Sequence, residues 1–294
     1  MKTVLTWVIL LVCGYSLGVV SFKYQLPPIP WMQQGKNWVW GQMGWEEPGW
    51  RVGFKDIRNK VAVNCKQFVE KETAIFLTFG QSNAANYGIP GFDPGPGVFN
   101  FNFFDGKCYE AKDPLLGTSG DKGSVWTRLG EKLIQQGLVH RILIVPIAAV
   151  GTSIKSWIPG QENFIRIEKT VSLLQSLQLH PTHWLWHQGE ADAGRLTKEE
   201  YQESFWKMEQ GIRDLGIQEP LFVAVTSICH DRGSEKIRQA QQELAHSRPN
   251  IFPGPNTDDI VYVWERRDGC HFSEEGLEKH ADMWVTALVS SDTL

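Results

Sequence analysis

The chain has 294 residues, a formal net charge of −4, 42% hydrophobic residues and 12% aromatics. That length suits a single layered α/β domain. Positive and negative side chains are interspersed with no basic stripe, which excludes nucleic acid as the expected partner.

Met1-Lys2 leads into an apolar run from Val4 to Val20, interrupted by Thr6, Gly14, Tyr15, Ser16 and Gly18 and closed by Ser21 and Lys23. Residues 1–21 read as an export signal, either a cleaved signal peptide or a retained signal anchor, and membrane contact is expected only in the second case. Export makes disulfides plausible among Cys65, Cys108, Cys229 and Cys270. The sequence leaves their pairing open, although Cys229 and Cys270 both follow expected strand ends and are able to meet there. Buried free thiols are the other reading.

Residues 22–71 are rich in Trp, Gly and Pro, including Pro27, Pro28, Pro30, Trp31, Trp38, Trp40, Trp45 and Trp50, and keep neither a strand nor a helix period. They are expected to form an extended arm or irregular cover. Most of the 13 tryptophans read as packing anchors, since indoles are highly buried on average. A glycan cleft lined by Trp31, Trp38, Trp40, Trp45, Trp50 and Trp157 is the alternative.

From residue 72 to 294 short apolar runs alternate with segments of helical spacing. Buried strands are predicted over 73–79, 141–147, 183–186, 221–227 and 260–264, and helices over 125–136, 164–178, 197–215, 235–246 and 274–288. Helix starts are marked by Ser124, by Thr197 with Glu200 as a capping box, and by Ser273. Such alternation implies a three-layer α/β/α sandwich around a mostly parallel sheet. Ligands in such folds bind beyond the carboxyl ends of strands, which makes 80–83, 148–153, 187–192, 228–232 and 265–271 the candidate segments.

Chemistry-bearing residues recur in these segments. Ser82 in Gly80-Gln81-Ser82-Asn83 stands one short turn past a strand, where a hydroxyl is exposed near backbone N–H groups. The loop Gly151-Thr152-Ser153-Ile154-Lys155-Ser156-Trp157 offers Ser153, Lys155 and Trp157 as substrate contacts. Trp186-His187-Gln188-Gly189-Glu190-Ala191-Asp192 concentrates polar groups after an apolar strand, which points to a site or a tight network. Asp268 lies three residues before His271, so one loop presents a base and the acceptor that fixes its tautomer. Glu190 is the rival for that acceptor.

In order and separation, Gly80-Gln81-Ser82-Asn83, Trp186-His187-Gln188-Gly189-Glu190 and Asp268-Gly269-Cys270-His271-Phe272 resemble the motifs of the SGNH hydrolases. They look like the branch containing sialate O-acetylesterases and acetylxylan esterases, over residues 73–289. The resemblance implies a flavodoxin-like α/β/α fold, no metal or other cofactor, and an acetylated carbohydrate as substrate. It implies Ser82 as nucleophile, His271 as base and Asp268 as acid, with Glu190 as alternative acid. The oxyanion donors it implies are the N–H groups of Ser82 and Gly123 and the Gln188 amide. Gln81 and Asn83, within the first motif, are expected beside the substrate. Two rival readings are a metal-dependent hydrolase using His183, His187, Glu190 and Asp192, with His230 and Asp231, and a non-catalytic carbohydrate-binding protein. The spacing matches no closed metal signature, and a binding module has no need of a base and acid together.

Overall fold

The structure is a computed structural model that describes residues 49–69, 72–230, 232–245 and 247–294. The expected export signal, Trp31, Trp38, Trp40, Trp45, Asp231 and His246 lie outside the described residues.

Among the described residues eight strands form one sheet: β1 (Ala62–Val63), β2 (Thr73–Gly80), β3 (Val98–Asn102), β4 (Lys107–Glu110), β5 (Arg141–Pro146), β6 (His183–His187), β7 (Leu221–Val225) and β8 (Ile251–Asn256). Their order is β1-β4-β3-β5-β2-β6-β7-β8. β3, β5, β2, β6, β7 and β8 run parallel, whereas β4 and β1 pair antiparallel at one edge. Among the described residues five α-helices cover it: α1 (Val125–Gln135), α2 (Phe164–Ser176), α3 (Lys198–Asp214), α4 (Glu235–Leu244) and α5 (Glu274–Ser290).

Strand alternation sorts the core into two halves. Ile75, Leu77 and Phe79 of β2 point to one face and pack with Ile167 and Val171 of α2, Phe205 and Met208 of α3 and Ile237 of α4. Phe76, Ile142, Ile144, Leu185 and Phe222 point to the other and meet Leu129 of α1 and Ala281 and Trp284 of α5. This is the expected three-layer sandwich. The expected helix starts hold as well. Ser124 Oγ accepts from Trp126 N–H, Thr197 and Glu200 form a capping box, and Ser273 Oγ accepts from Gly276 N–H.

The last predicted strand, 260–264, is not one. β8 takes the position beside β7 instead, and its Pro253 and Pro255 are tolerated because an edge strand has only one neighbour to pair with. Val261, Tyr262, Val263 and Trp264 stand 60%, 53%, 82% and 60% exposed. Tyr262 and Trp264 stack there at 4.6 Å with a 5° interplanar angle. Part of the Trp/Pro-rich segment also belongs to the sheet. β1 pairs with β4, and Cys65 following β1 is bonded to Cys108 within β4.

β2 and β6 are neighbours, and the chain leaves the carboxyl end of β2 toward β3 on one side and that of β6 toward β7 on the other. That is the switch point at which open α/β sheets form a crevice.

Candidate active site

Ser82 opens a short 3-10 turn, Ser82–Ala84, directly after β2. Gly80 makes this turn possible. Its φ is +129°, and a Cβ there would sit 2.0 Å from the His187 carbonyl oxygen, so the ends of β2 and β6 can close only on glycine. Gln81 N–H then donates to His187 O at 3.1 Å. Ser82 is 3% exposed. It lines a cavity of about 520 Å³ together with Gln81, Val150, Gly151, Glu190 and His271.

His271 reaches this cavity from the loop before α5. Its Nδ1 is 2.8 Å from Asp268 Oδ2, and Asp268 Oδ1 accepts the backbone N–H groups of His271 at 2.7 Å and Cys270 at 3.0 Å. Partial burial works to raise the Asp268 pKa, but the His271 ring and these N–H donors overcome it and hold the carboxyl at about 2. The acid therefore stays ionised and fixes the tautomer that leaves Nε2 as acceptor. Tyr87 stacks on the imidazole with ring centres 5.1 Å apart. The loop is also stapled to the end of β7 by the Cys229–Cys270 disulfide. Among the described residues neither Ser82 Oγ nor His271 Nε2 has a hydrogen-bond partner, and both residues line one cavity.

Glu190 lines the cavity but is not the partner of His271. Its Oε1 accepts Asn83 Nδ2 at 2.7 Å and its Oε2 accepts Gly189 N–H at 3.1 Å. Burial pushes its pKa up, against those hydrogen bonds. Asn83, expected at the substrate, instead spends its amide on Glu190 and on Cys270 O at 3.3 Å, tying the His271 loop to Glu190.

Two expected oxyanion donors are committed elsewhere. Gly123 N–H donates to Gly88 O at 2.7 Å. Gln188 is fully buried, and its amide nitrogen donates to Thr152 O at 3.0 Å and Asp192 Oδ2 at 2.7 Å. Gln188 thereby braces the loop after β5. In that loop Gly151 has a φ of +66° and lines the cavity, and its N–H has no partner among the described residues. The Ser82 N–H is equally uncommitted. Gly151 lies in the expected strand-end segment 148–153, but nothing in the sequence of that segment marks it as a donor. Gln81 keeps its place in the lining, with Oε1 accepting Ala191 N–H at 3.0 Å.

The other expected contacts turn away from the cavity. Trp157 is fully buried and packs against Phe79 and Trp186, its Nε1 donating to Thr152 Oγ1. Ser153 caps the short helix Ile154–Trp157, and Lys155 pairs with Glu200 at 3.4 Å. The proposed metal ligands are not gathered either. His183 lies at the opposite end of β6, bonded to Thr182 Oγ1 and Thr293 O, with burial lowering its pKa to about 4. His187 Nε2 faces Thr257 Oγ1 at 3.1 Å, and burial lowers its pKa to about 3. Asp192 Oδ2 is held by Ile154 N–H and Gln188. Cys229, His230 and Cys270 do lie together, but both thiols are in the disulfide.

Solved structures share this fold. A protein from Arabidopsis thaliana is 21% identical with a TM-score of 0.62, over 74% of this chain and 98% of that one. NanS is 16% identical with a TM-score of 0.53, over 74% and 97%. A carbohydrate acetylesterase from Xanthomonas citri is 15% identical with a TM-score of 0.53, over 73% and 55%. No curated protein matches the sequence significantly. A family model described as carbohydrate esterase, sialic acid-specific acetylesterase, matches residues 72–290.

Proposed function

Because this chain belongs to the sialic acid-specific acetylesterase family of carbohydrate esterases, and so is a carboxylic ester hydrolase, we propose that it removes O-acetyl groups from a carbohydrate by serine catalysis. The observation that carries this reading is that His271, paired with Asp268, lines the same cavity as Ser82 at the carboxyl end of β2.

In this mechanism His271 Nε2 takes the Ser82 proton as Oγ attacks the acetyl carbonyl, and Asp268 stabilises the imidazolium that forms. The developing oxyanion is met by the uncommitted N–H groups of Ser82 and Gly151. Protonated His271 then gives its proton to the leaving sugar oxygen. Water, activated by the same base, releases acetate from Ser82. Glu190, Asn83 and Gln188 hold the loops that carry these groups. The two disulfides fit an exported protein, and the apolar segment over residues 4–20 is proposed as its export signal.

The test is acetate release from p-nitrophenyl acetate and from acetylated glycans by the chain lacking residues 1–21. Ser82→Ala is expected to abolish turnover while leaving the thermal midpoint nearly unchanged. Activity persisting in that variant would overturn the serine mechanism.

A further inference from the structure

We propose that Tyr87 is a positioning residue for the reaction: its ring holds the His271 imidazole in place and favours the imidazolium that forms as the Ser82 proton is taken. The proposal rests on the esterase reading above, with His271 as the base.

The Tyr87 and His271 rings are stacked, with centres 5.1 Å apart and planes inclined by 27°. Tyr87 is half-buried and is not among the residues that line the cavity, so it meets the reaction through His271 rather than through the substrate. Asp268 occupies Nδ1 at the ring edge. A stack on the ring face leaves Nε2 free for a proton.

The neighbouring backbone fixes the Tyr87 ring. Asn86 N–H donates to Ser119 O at 3.0 Å, and Gly88 and Gly123 exchange backbone hydrogen bonds at 3.0 Å and 2.7 Å. The Asn86 side chain exchanges hydrogen bonds with the Leu115 backbone at 2.8 Å and 2.9 Å. Gly120, with a φ of +85°, lies so close that a Cβ there would sit 2.7 Å from Tyr87 Cε2. A side chain at 120 would therefore displace the ring. Ile89 N–H donates to Phe272 O at 3.2 Å, which joins the Tyr87 segment to the residue after His271. Gly123, expected as an oxyanion donor, thus serves the ring that supports the base.

Proton transfer turns a neutral imidazole into a cation. The face of an aromatic ring is negative and attracts a cation within about 6 Å of its centre, and it attracts a neutral ring much less. Tyr87 therefore stabilises the state that appears during the reaction more than the one before it, which is the condition for a gain in rate. The charged and titratable groups around His271 are Asp268, Arg267 on Asp268 Oδ2 at 3.3 Å, and Glu190, Arg195, His230 and Arg232 in the cavity lining. Asp121 lies near Tyr87. A substitution at position 87 alters none of them, so a change in titration reports the ring.

The experiment records kcat/KM for p-nitrophenyl acetate against pH in the wild type, Tyr87→Leu and Tyr87→Phe. Tyr87→Leu should move the midpoint of the acidic limb about half a unit to one unit lower, and should reduce the plateau about threefold to thirtyfold. Tyr87→Phe keeps a ring face and should hold the wild-type midpoint. A ring that only fills space would cost stability in Tyr87→Leu and leave the midpoint where it was. Phenylalanine fluorinated on its ring, introduced at position 87, keeps the shape while weakening the negative face, and should give the same downward shift if Tyr87→Leu fails to fold. An unmoved or raised midpoint in the folded Tyr87→Leu or fluorinated protein, or an equal shift in Tyr87→Phe, overturns this proposal alone. A wild type that hydrolyses neither p-nitrophenyl acetate nor acetylated glycans overturns the esterase reading and this proposal with it.

Discussion

Two carboxylates stand near His271, the proposed base, and their surroundings differ. Asp268 accepts the His271 ring N–H and two backbone N–H groups, whereas Glu190 accepts Asn83 and Gly189. Asp268→Asn should lower kcat by about 10³–10⁴, because the amide cannot hold the productive tautomer. Glu190→Gln should cost less turnover than that, with part of the loss appearing as a lower thermal midpoint, and steady-state kinetics beside a melting curve will separate them. A larger loss for Glu190→Gln would reverse the assignment of acid. Gln188 gives a parallel contrast. Removing an oxyanion donor slows chemistry without unfolding the protein, whereas removing a brace does both. Gln188→Met leaves Thr152 O and Asp192 Oδ2 short of a donor and should destabilise the fold by about 2–4 kcal/mol in chemical denaturation. An unchanged unfolding free energy would return Gln188 to the role of a donor.

At the level of elements, buried parallel strands were legible because burial on both faces writes continuous apolar runs, as in 73–79 and 141–147. The same logic misplaces the edge. Ile251–Asn256 carries Pro253, Gly254 and Pro255 and has no such run, while Val261 to Trp264 has the run and turns outward. Composition records what a strand buries, and an edge strand buries little. The site divides similarly. Ser82, His271 and Asp268 lie in motifs whose spacing is visible in the chain. Gly123 and Gln188 were expected as donors, yet their N–H groups face Gly88 O, Thr152 O and Asp192 Oδ2, and nothing in a sequence shows which N–H groups other acceptors have already taken. Tyr87 comes to the site through loop geometry that no local pattern encodes. The outward turn is testable. Val263→Ser should change stability by less than about 0.5 kcal/mol, whereas Ile260→Ser, at a fully buried position, should cost about 2–4 kcal/mol. Equal losses in denaturation would mean that 260–264 is buried as a strand after all.

Across the whole molecule, pH acts through groups far from the cavity as well as within it. Asp113 is pushed up to about 7, chiefly by burial, although the N–H groups of Phe92 and Ser124 and the Thr127 hydroxyl favour its ionised form. In the unfolded chain the same carboxyl ionises near its ordinary value of 3.8. Between about pH 4 and pH 7 the unfolded state therefore binds fewer protons than the folded state, and stability falls as pH rises. Asp113→Asn removes that term, so its unfolding free energy should gain on the wild type steadily through this window and run parallel above it. A constant difference across the window would show that Asp113 is ionised in the folded protein.

Asp268 and His271 share one short loop, and Cys270 between them is bonded to Cys229. In the proposed mechanism acid and base therefore move as a single body. Fluctuations of the loop change one coordinate that matters, the separation of His271 Nε2 from Ser82 Oγ, while the internal geometry of the pair is conserved. In the proposed reaction the proton acceptor approaches its donor with its tautomer already chosen, so thermal motion would set how often the first transfer occurs without altering the state of the base that receives it.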